Sequence, residues 1–297
     1  MGYGSILGQS TPFIVNPNLL DNWYFGRPVN QRGQTEYTGN ATYSIDRWWT
    51  QYETPISIVD GGIKIGGKWD MQQYFETTLP NATYTLSLLY KDRTGSDPLH
   101  LRIENRTDGG LAQTESKDAS GILSVTFSTA KLNKVSFGFT GSTDNSATII
   151  AIKLELGGTQ TLAHKENGVW VLNEIPDFGE QLRRCQRYAF SPLYEAYATA
   201  VICNLFISRA ADGFAFGEVT LPVSMRKKPV FSGNASKFWI VAENGDEASH
   251  PTAISVMGLS ADKVMIQVNG SYTANTQYIL YVENPFTSAD FLLSADL

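Results

Sequence analysis

The amino-acid sequence predicts an all-β protein: two β-sandwiches, jelly-roll-like in form, joined by a short helical linker. Three observations carry this expectation. Aromatic residues make up 12% of the 297 residues and charged residues only 18%. With Gly, Asn, Ser and Thr plentiful, that balance suits strands and turns better than helical bundles. Short apolar/polar alternations recur between Gly, Asn, Asp and Pro turns along most of the chain, and one central stretch carries helix signals instead.

Residues 1–17 read as a docking arm, loosened by Gly2, Gly4 and Gly8 and kept from regular structure by Pro12 and Pro17. Residues 18–158 form the first expected sandwich. Tyr84, Leu86, Leu88 and Tyr90 alternate, as do Leu99, Leu101 and Ile103, then Leu123, Val125 and Phe127, then Val135, Phe137 and Phe139. A period of two gives each strand one apolar face. In the closing run TIIAIKLEL, Ile150, Ile152, Leu154 and Leu156 are expected on one face, with Lys153 and Glu155 on the other. Gly157 and Gly158 release the chain there.

Residues 159–192 change character. Pro176 precedes Asp177, a helix N-cap, and Glu180 follows three residues later as a capping-box partner. Phe178, Leu182, Cys185 and Ala189 would line one side of a short helix that ends before Pro192. Residues 193–297 return to strand patterns, including Val264, Ile266 and Val268 and then Tyr278, Leu280 and Val282, so a second sandwich is expected. Trp239 reads as part of its core.

The formal charge of -6 comes without an Arg/Lys stripe, so nucleic acid is not an expected partner. Arg226, Lys227 and Lys228 form only a small basic patch, read as a solvated turn. No run approaches the roughly 18 apolar residues of a membrane span, so no membrane insertion is expected. Cys185 and Cys203 suit two buried free thiols, the alternative being one disulfide. No cofactor is implied, and a structural cation is left unassigned.

Resemblance adds a more specific expectation. The opening NPNLLDNWYFGRPVNQRG, followed by YSIDRWW, resembles tail-fibre and other receptor-binding or structural proteins of bacteriophages and prophages. Its NLLDNWYF start and IIAIKLELG close also resemble a jelly-roll carbohydrate-binding module that begins with an Asn-Leu-x-x-Asn motif. In the phage-type proteins the closing strand leads into a helix carrying CQRYY, here CQRYAF. A second β-domain follows with an element like LPVSMRKKP and an acidic closing strand like FLLSADL. The resemblance implies a virion protein on an external appendage or the particle surface. It also implies that the arm meets other virion proteins, that copies associate, with a trimer preferred, and that a host-surface glycan is a ligand.

A sugar platform needs exposed aromatic planes beside hydrogen-bonding groups. Trp48, Trp49 and Tyr52, then Trp69, Asp70, Gln72 and Tyr74, are the expected ligand-binding residues, with Gln73 in the same run. Adjacent Trp48 and Trp49 on a strand point to opposite faces, so one fills the core and the other stays out; the sequence leaves open which. Trp23, Tyr24 and Phe25 read as core or sheet-edge groups. Asp46 and Arg47 suggest an ion pair, and Arg27 and Arg32 either anchor their loop or meet carboxylates on a subunit or glycan. His100, His164 and His250 lie far apart and show no metal-ligand spacing, and no nucleophile elbow, zinc motif or phosphate loop is present. A non-enzymatic protein is expected, with no catalytic residue assigned. The alternative to a glycan-binding tail fibre is a head-fibre, capsid-decoration or baseplate protein whose contacts are purely structural.

Overall fold

The computed structural model describes residues 16–68, 70–196, 198–207, 213–243, 245, 248–273 and 276–296. Most of the expected docking arm, and Trp69, lie outside them. The first sandwich contains β1 (Glu36–Gly39), β2 (Thr42–Tyr43), β3 (Trp49–Thr50), β4 (Thr54–Val59), β5 (Gly62–Gly66) and β6 (Asp70–Tyr74). It continues with β7 (Ala82–Thr94), β8 (Leu99–Asn105), β9 (Gly109–Ser116), β10 (Gly121–Thr129), β11 (Lys134–Gly138) and β12 (Ser146–Leu156). One six-stranded sheet runs β1-β4-β5-β12-β7-β10 and faces a second, β2-β3-β6-β11-β8-β9. Every pairing in both sheets is antiparallel, and the inner faces meet in one core of Trp23, Phe25, Trp48, Phe137 and the aliphatic rows around them.

β12 departs from the expected alternation in two ways. A register shift between Ile149 and Ala151 puts Ile149 opposite Tyr90, so Ile149, and not Ile150, takes the inner place in line with Ile152 and Leu154. At the bulge the Ile150 carbonyl turns to accept from the Phe25 amide at 2.9 Å, which ties the entrance segment to the sheet. Leu156, expected inside, is exposed because the strand ends there. The opposite face is not solvated either, since Lys153 and Glu155 are fully buried. Lys153 Nζ pairs with Glu174 at 2.7 Å, and Glu155 accepts from the Thr161 amide at 2.7 Å. The covering segment includes the hairpin of β13 (Ala163–Glu166) and β14 (Val169–Leu172). A buried charge is tolerable only with such partners.

A short α-helix, α1 (Phe178–Gln186), follows, and the Asp177 side chain accepts from the Glu180 amide, as its N-cap position predicts. Its buried face is rotated from the expected one. Cys185 is buried as expected, but Gln181 takes the place assigned to Leu182, because its side-chain oxygen accepts from the Asn22 amide at 2.7 Å.

The second sandwich adds β15 (Ala189–Phe190), β16 (Ala200–Phe206), β17 (Phe214–Thr220), β18 (Val230–Gly233), β19 (Phe238–Ala242), β20 (Ala248–Ser249), β21 (Ala253–Leu259), β22 (Lys263–Asn269), β23 (Tyr278–Val282) and β24 (Phe291–Ser294). A seven-stranded sheet, β20-β19-β23-β16-β17-β22-β21, and a three-stranded sheet, β15-β24-β18, enclose a separate core. Val264, Ile266, Val268, Leu280 and Val282 are fully buried there, in the alternation read from the sequence. Trp239 is not one of them. Its neighbours Phe238 and Ile240 point inward, leaving the tryptophan half-buried on the outer face, packed at a 37° tilt against His250 with ring centroids 3.8 Å apart. Cys185 and Cys203 are both free and buried, and burial pushes the Cys203 thiol up to about 12.

Candidate ligand face and domain junction

Two polar regions grow out of the same opening block, and the parity of the chain at Trp48 and Trp49 separates them. A tight turn precedes the pair: the Ser44 amide donates to the Trp48 carbonyl at 3.0 Å, and Arg47 sits at φ 72°, in the left-handed region that costs a non-glycine residue energy. Trp48 enters the core with no exposure. Its ring meets Phe25 and Phe137 edge-on at 5.5 and 5.3 Å, and its Nε1 donates to the Asn22 carbonyl at 2.9 Å. A sealed ring offers no plane to a sugar, so the expectation of ligand contact does not survive for Trp48.

Trp49 faces the other way. Its cross-strand partner on β6 is Gln72, which lies opposite Ser136 on β11, opposite Arg102 on β8, opposite Gln113 on β9. These five residues form a row across the outer face, while Met71, Phe137 and Leu101, one position along, form the corresponding row in the core. At about 4.8 Å between strands the row spans about 19 Å, the length of a short oligosaccharide. Flanking positions of the same parity add Asp70, His100, Tyr74, Lys134 and Glu104. Trp49 and Tyr74 are both half-buried and pack edge-to-face at 6.1 Å, with Arg106 lying over the Tyr74 ring at 4.8 Å.

Beneath these rings the polar groups hold one another. Asp70 takes His100 Nε2 at 2.7 Å, Arg102 at 3.2 Å and the Ser136 hydroxyl at 3.3 Å. Tyr74 donates to Gln72 Oε1 at 2.6 Å, and Gln72 Nε2 donates to Gln51 at 2.9 Å. Asp70 and Gln72 are therefore buried positioning groups, whereas Trp49, Tyr74, Arg102 and the exposed Gln113 present surface. Tyr52 is 49% exposed in the loop beyond β3, outside the strand row. Of the expected residues, Trp49, Asp70, Gln72 and Tyr74 share one face. Sequence reasoning missed His100, Arg102, Lys134, Ser136 and Gln113. A signal for four of them lay in the strand alternation: if Leu99, Leu101, Ile103, Val135 and Phe137 face the core, the residues between them, and Lys134 just before Val135, face out.

The second polar region is the junction between the sandwiches. Asp46 and Arg47 do not pair with each other, because the left-handed turn sends them apart. Arg47 Nε donates to Asp21 at 2.9 Å, its Nη2 donates to the Tyr74 carbonyl at 2.8 Å, and its guanidinium lies 3.6 Å from the Tyr188 ring centroid. Asp46 is fully buried and accepts from Gln31 Nε2 at 2.8 Å; the same Gln31 nitrogen donates to the Ala189 carbonyl at 2.6 Å. Arg32 Nη2 binds Asp296 of the second sandwich at 2.5 Å, while its Nε stays 3.9 Å from Asp46. The carboxylate that Arg32 meets thus belongs to its own chain. Because Asp296 takes the close contact, burial dominates at Asp46 and pushes its carboxyl up to about 7. Asn22, also at positive φ, bonds both the Val29 and Asp46 carbonyls through Nδ2. Gly33, at φ 70°, closes the turn from Asn30, and a Cβ there would stand 2.6 Å from the Ser288 hydroxyl of the second sandwich. Arg27, more exposed, lies over the Phe178 ring at 4.1 Å.

The other histidines have local partners, His164 on Asn173 and His250 on the Phe238 carbonyl. Among the described residues no group of three His, Cys, Asp or Glu side chains is placed to hold a metal ion, and no helix is long and apolar enough to cross a membrane.

No protein-family model matches the chain, and no curated protein matches it. Among solved structures, the BiXyn10A CBM1 module in its apo form aligns with 40% of this chain and 100% of its own, at 12% identity and a TM-score of 0.31. A CBM4 structure aligns with 39% of this chain and 81% of its own, at 14% identity and 0.28. The enzymatically active domain of tailspike protein 4 from bacteriophage CBA120 aligns with 41% of this chain and 17% of its own, at 10% identity and 0.24. Overlaps this loose leave the architecture to rest on its own sheets and registers.

Proposed function

We propose that this chain is a virion structural protein of a phage tail fibre or related appendage, and that the outer face of its β2-β3-β6-β11-β8-β9 sheet binds host-surface carbohydrate. The observation that carries the glycan reading is the in-register row of Trp49, Gln72, Ser136, Arg102 and Gln113. It sets an aromatic plane and a line of donors and acceptors on the side of the sheet away from the core. The apolar face of a sugar ring stacks on such a plane while its hydroxyls meet Arg102 and Gln113, the buried Gln72 and Ser136 holding the face in place beneath them. The virion assignment rests on the order of sequence motifs, from NLLDNWYF through CQRYAF to LPVSMRKKP. Association of copies, with three preferred, would turn weak single sites into firm attachment through effective concentration. The arm over residues 1–17 is the proposed contact with other virion proteins.

The test is a glycan array of host-surface polysaccharides probed with the full chain. Selective binding is expected, falling at least about tenfold in Trp49→Ala, since truncating an aromatic anchor removes most of a small site's affinity. A blank array, or binding that Trp49→Ala leaves intact, would count against this face as the receptor reader. A head-fibre, capsid-decoration or baseplate protein is the second reading. It is favoured by the way Asp70 and Gln72 already satisfy their polar atoms within the chain.

A further inference from the structure

Where α1 lies against the first sandwich, a cavity of about 320 Å³ is walled partly by apolar groups, Leu19, Phe75 and Leu79, and partly by ions. Three guanidiniums line it beside two carboxylates, and a fourth, that of Arg226, reaches one of those carboxylates from outside the lining. Arg47 and Arg184 hold Asp21 at 2.9 and 2.7 Å, while Arg187 and Arg226 approach Glu76 at 3.1 and 3.7 Å. The lining carries one positive charge in excess and the adjoining Arg226 a second, in a chain whose net charge is -6. Closing a domain junction needs balanced pairs; crowded guanidiniums beyond balance repel one another. The Arg47 side chain is 2% exposed, and its Nη1 is buried without a hydrogen-bond partner. The exposed Lys227 and Lys228 follow Arg226 directly, and the Arg226 amide donates to the Arg187 carbonyl at 3.0 Å, so this basic patch adjoins the cavity.

We propose that the cavity binds a phosphate monoester carried on a small polyol or sugar. A monoester approaching two negative charges offsets the excess, and planar guanidinium forks match phosphate oxygens in pairs. The volume sits at the lower end of the range for small-molecule sites, and the Leu19, Phe75 and Leu79 wall suits the carbon part.

The proposal is tested on the full chain by calorimetric titration and thermal melting with glycerol 3-phosphate, inorganic phosphate and glucuronate, each matched in ionic strength by sodium chloride. Glycerol 3-phosphate is expected to bind saturably and raise Tm, inorganic phosphate to do so more weakly, and glucuronate and chloride to do neither. Arg184→Gln should weaken binding about tenfold, as loss of one charged hydrogen bond does. Thr77→Glu places a negative charge on the cavity wall without removing an ion pair; it should keep its Tm in chloride and lose the phosphate response, and it decides the matter should Arg184→Gln fail to fold. Equal stabilisation by chloride, tighter binding of glucuronate, or an undiminished response in Thr77→Glu would overturn the proposal. Trp49→Ala is expected to keep the phosphate response, which separates this site from the glycan face.

Discussion

The domain junction and the outer sheet face draw on the same kinds of residue, from neighbouring stretches of chain, and put them to opposite uses. At the junction Asn22, Gln31, Arg32 and Arg47 lose water and find partners in the second sandwich, the helix or Tyr188 just beyond it, while the buried Asp46 is held by Gln31. On the sheet face Trp49, Tyr74, Arg102 and Gln113 keep water on one side and a scaffold of buried polar groups on the other. Composition alone does not distinguish the two. One residue of strand parity does, since Trp48 and Trp49 are chemically identical and adjacent.

That comparison breaks most visibly at Trp48. Trp48→Ala removes a fully buried ring packed between Phe25 and Phe137 and strands the Asn22 carbonyl, so a loss of about 3–5 kcal/mol is expected, measurable by urea unfolding. An intermediate effect comes from pH. Asp46 has a folded-state pKa near 7 against an ordinary value of 3.8, so its uncharged form is the one the fold favours. Its contribution is therefore fully present below about pH 4 and is lost as pH rises through 7, on the order of 2–4 kcal/mol across that window. Melting wild type and Asp46→Asn from pH 5 to 8 checks the sign: the wild type should lose stability toward pH 8 relative to the variant, and parallel profiles would exclude the effect. The smallest effect belongs to Trp49, where truncation should cost stability only about 1 kcal/mol, because the ring is already partly exposed to water. A loss at Trp49 as large as that at Trp48 would erase the distinction between core and surface at this pair.

Much of the fold was legible because period-two alternation is local. Leu99, Leu101 and Ile103, or Val264, Ile266 and Val268, announce their strands without reference to anything distant. The ligand face was half legible. Its aromatic members drew attention by composition, while His100, Arg102, Lys134 and Ser136 were hidden in the polar phase of strands read for their apolar phase. The bulge at Ile149–Ala151 escaped because a single inserted residue leaves the apolar run TIIAI unchanged while reversing which isoleucine points inward. The junction was illegible for another reason. Gln31 meets Ala189 across 158 positions and Arg32 meets Asp296 across 264, distances at which adjacency in sequence carries no information. Asp46 and Arg47, neighbours in the chain, therefore suggested a pair that the turn between them forbids.

The Arg32–Asp296 contact also orders events during synthesis. When the first sandwich has emerged from the ribosome, the carboxylate for Arg32 is still 264 residues behind it, and Asp46, Gln31 and the Arg32 guanidinium remain hydrated at an open surface. The first unit must therefore hold together with its future seam wet, and drying of that seam waits on the last strand of the second.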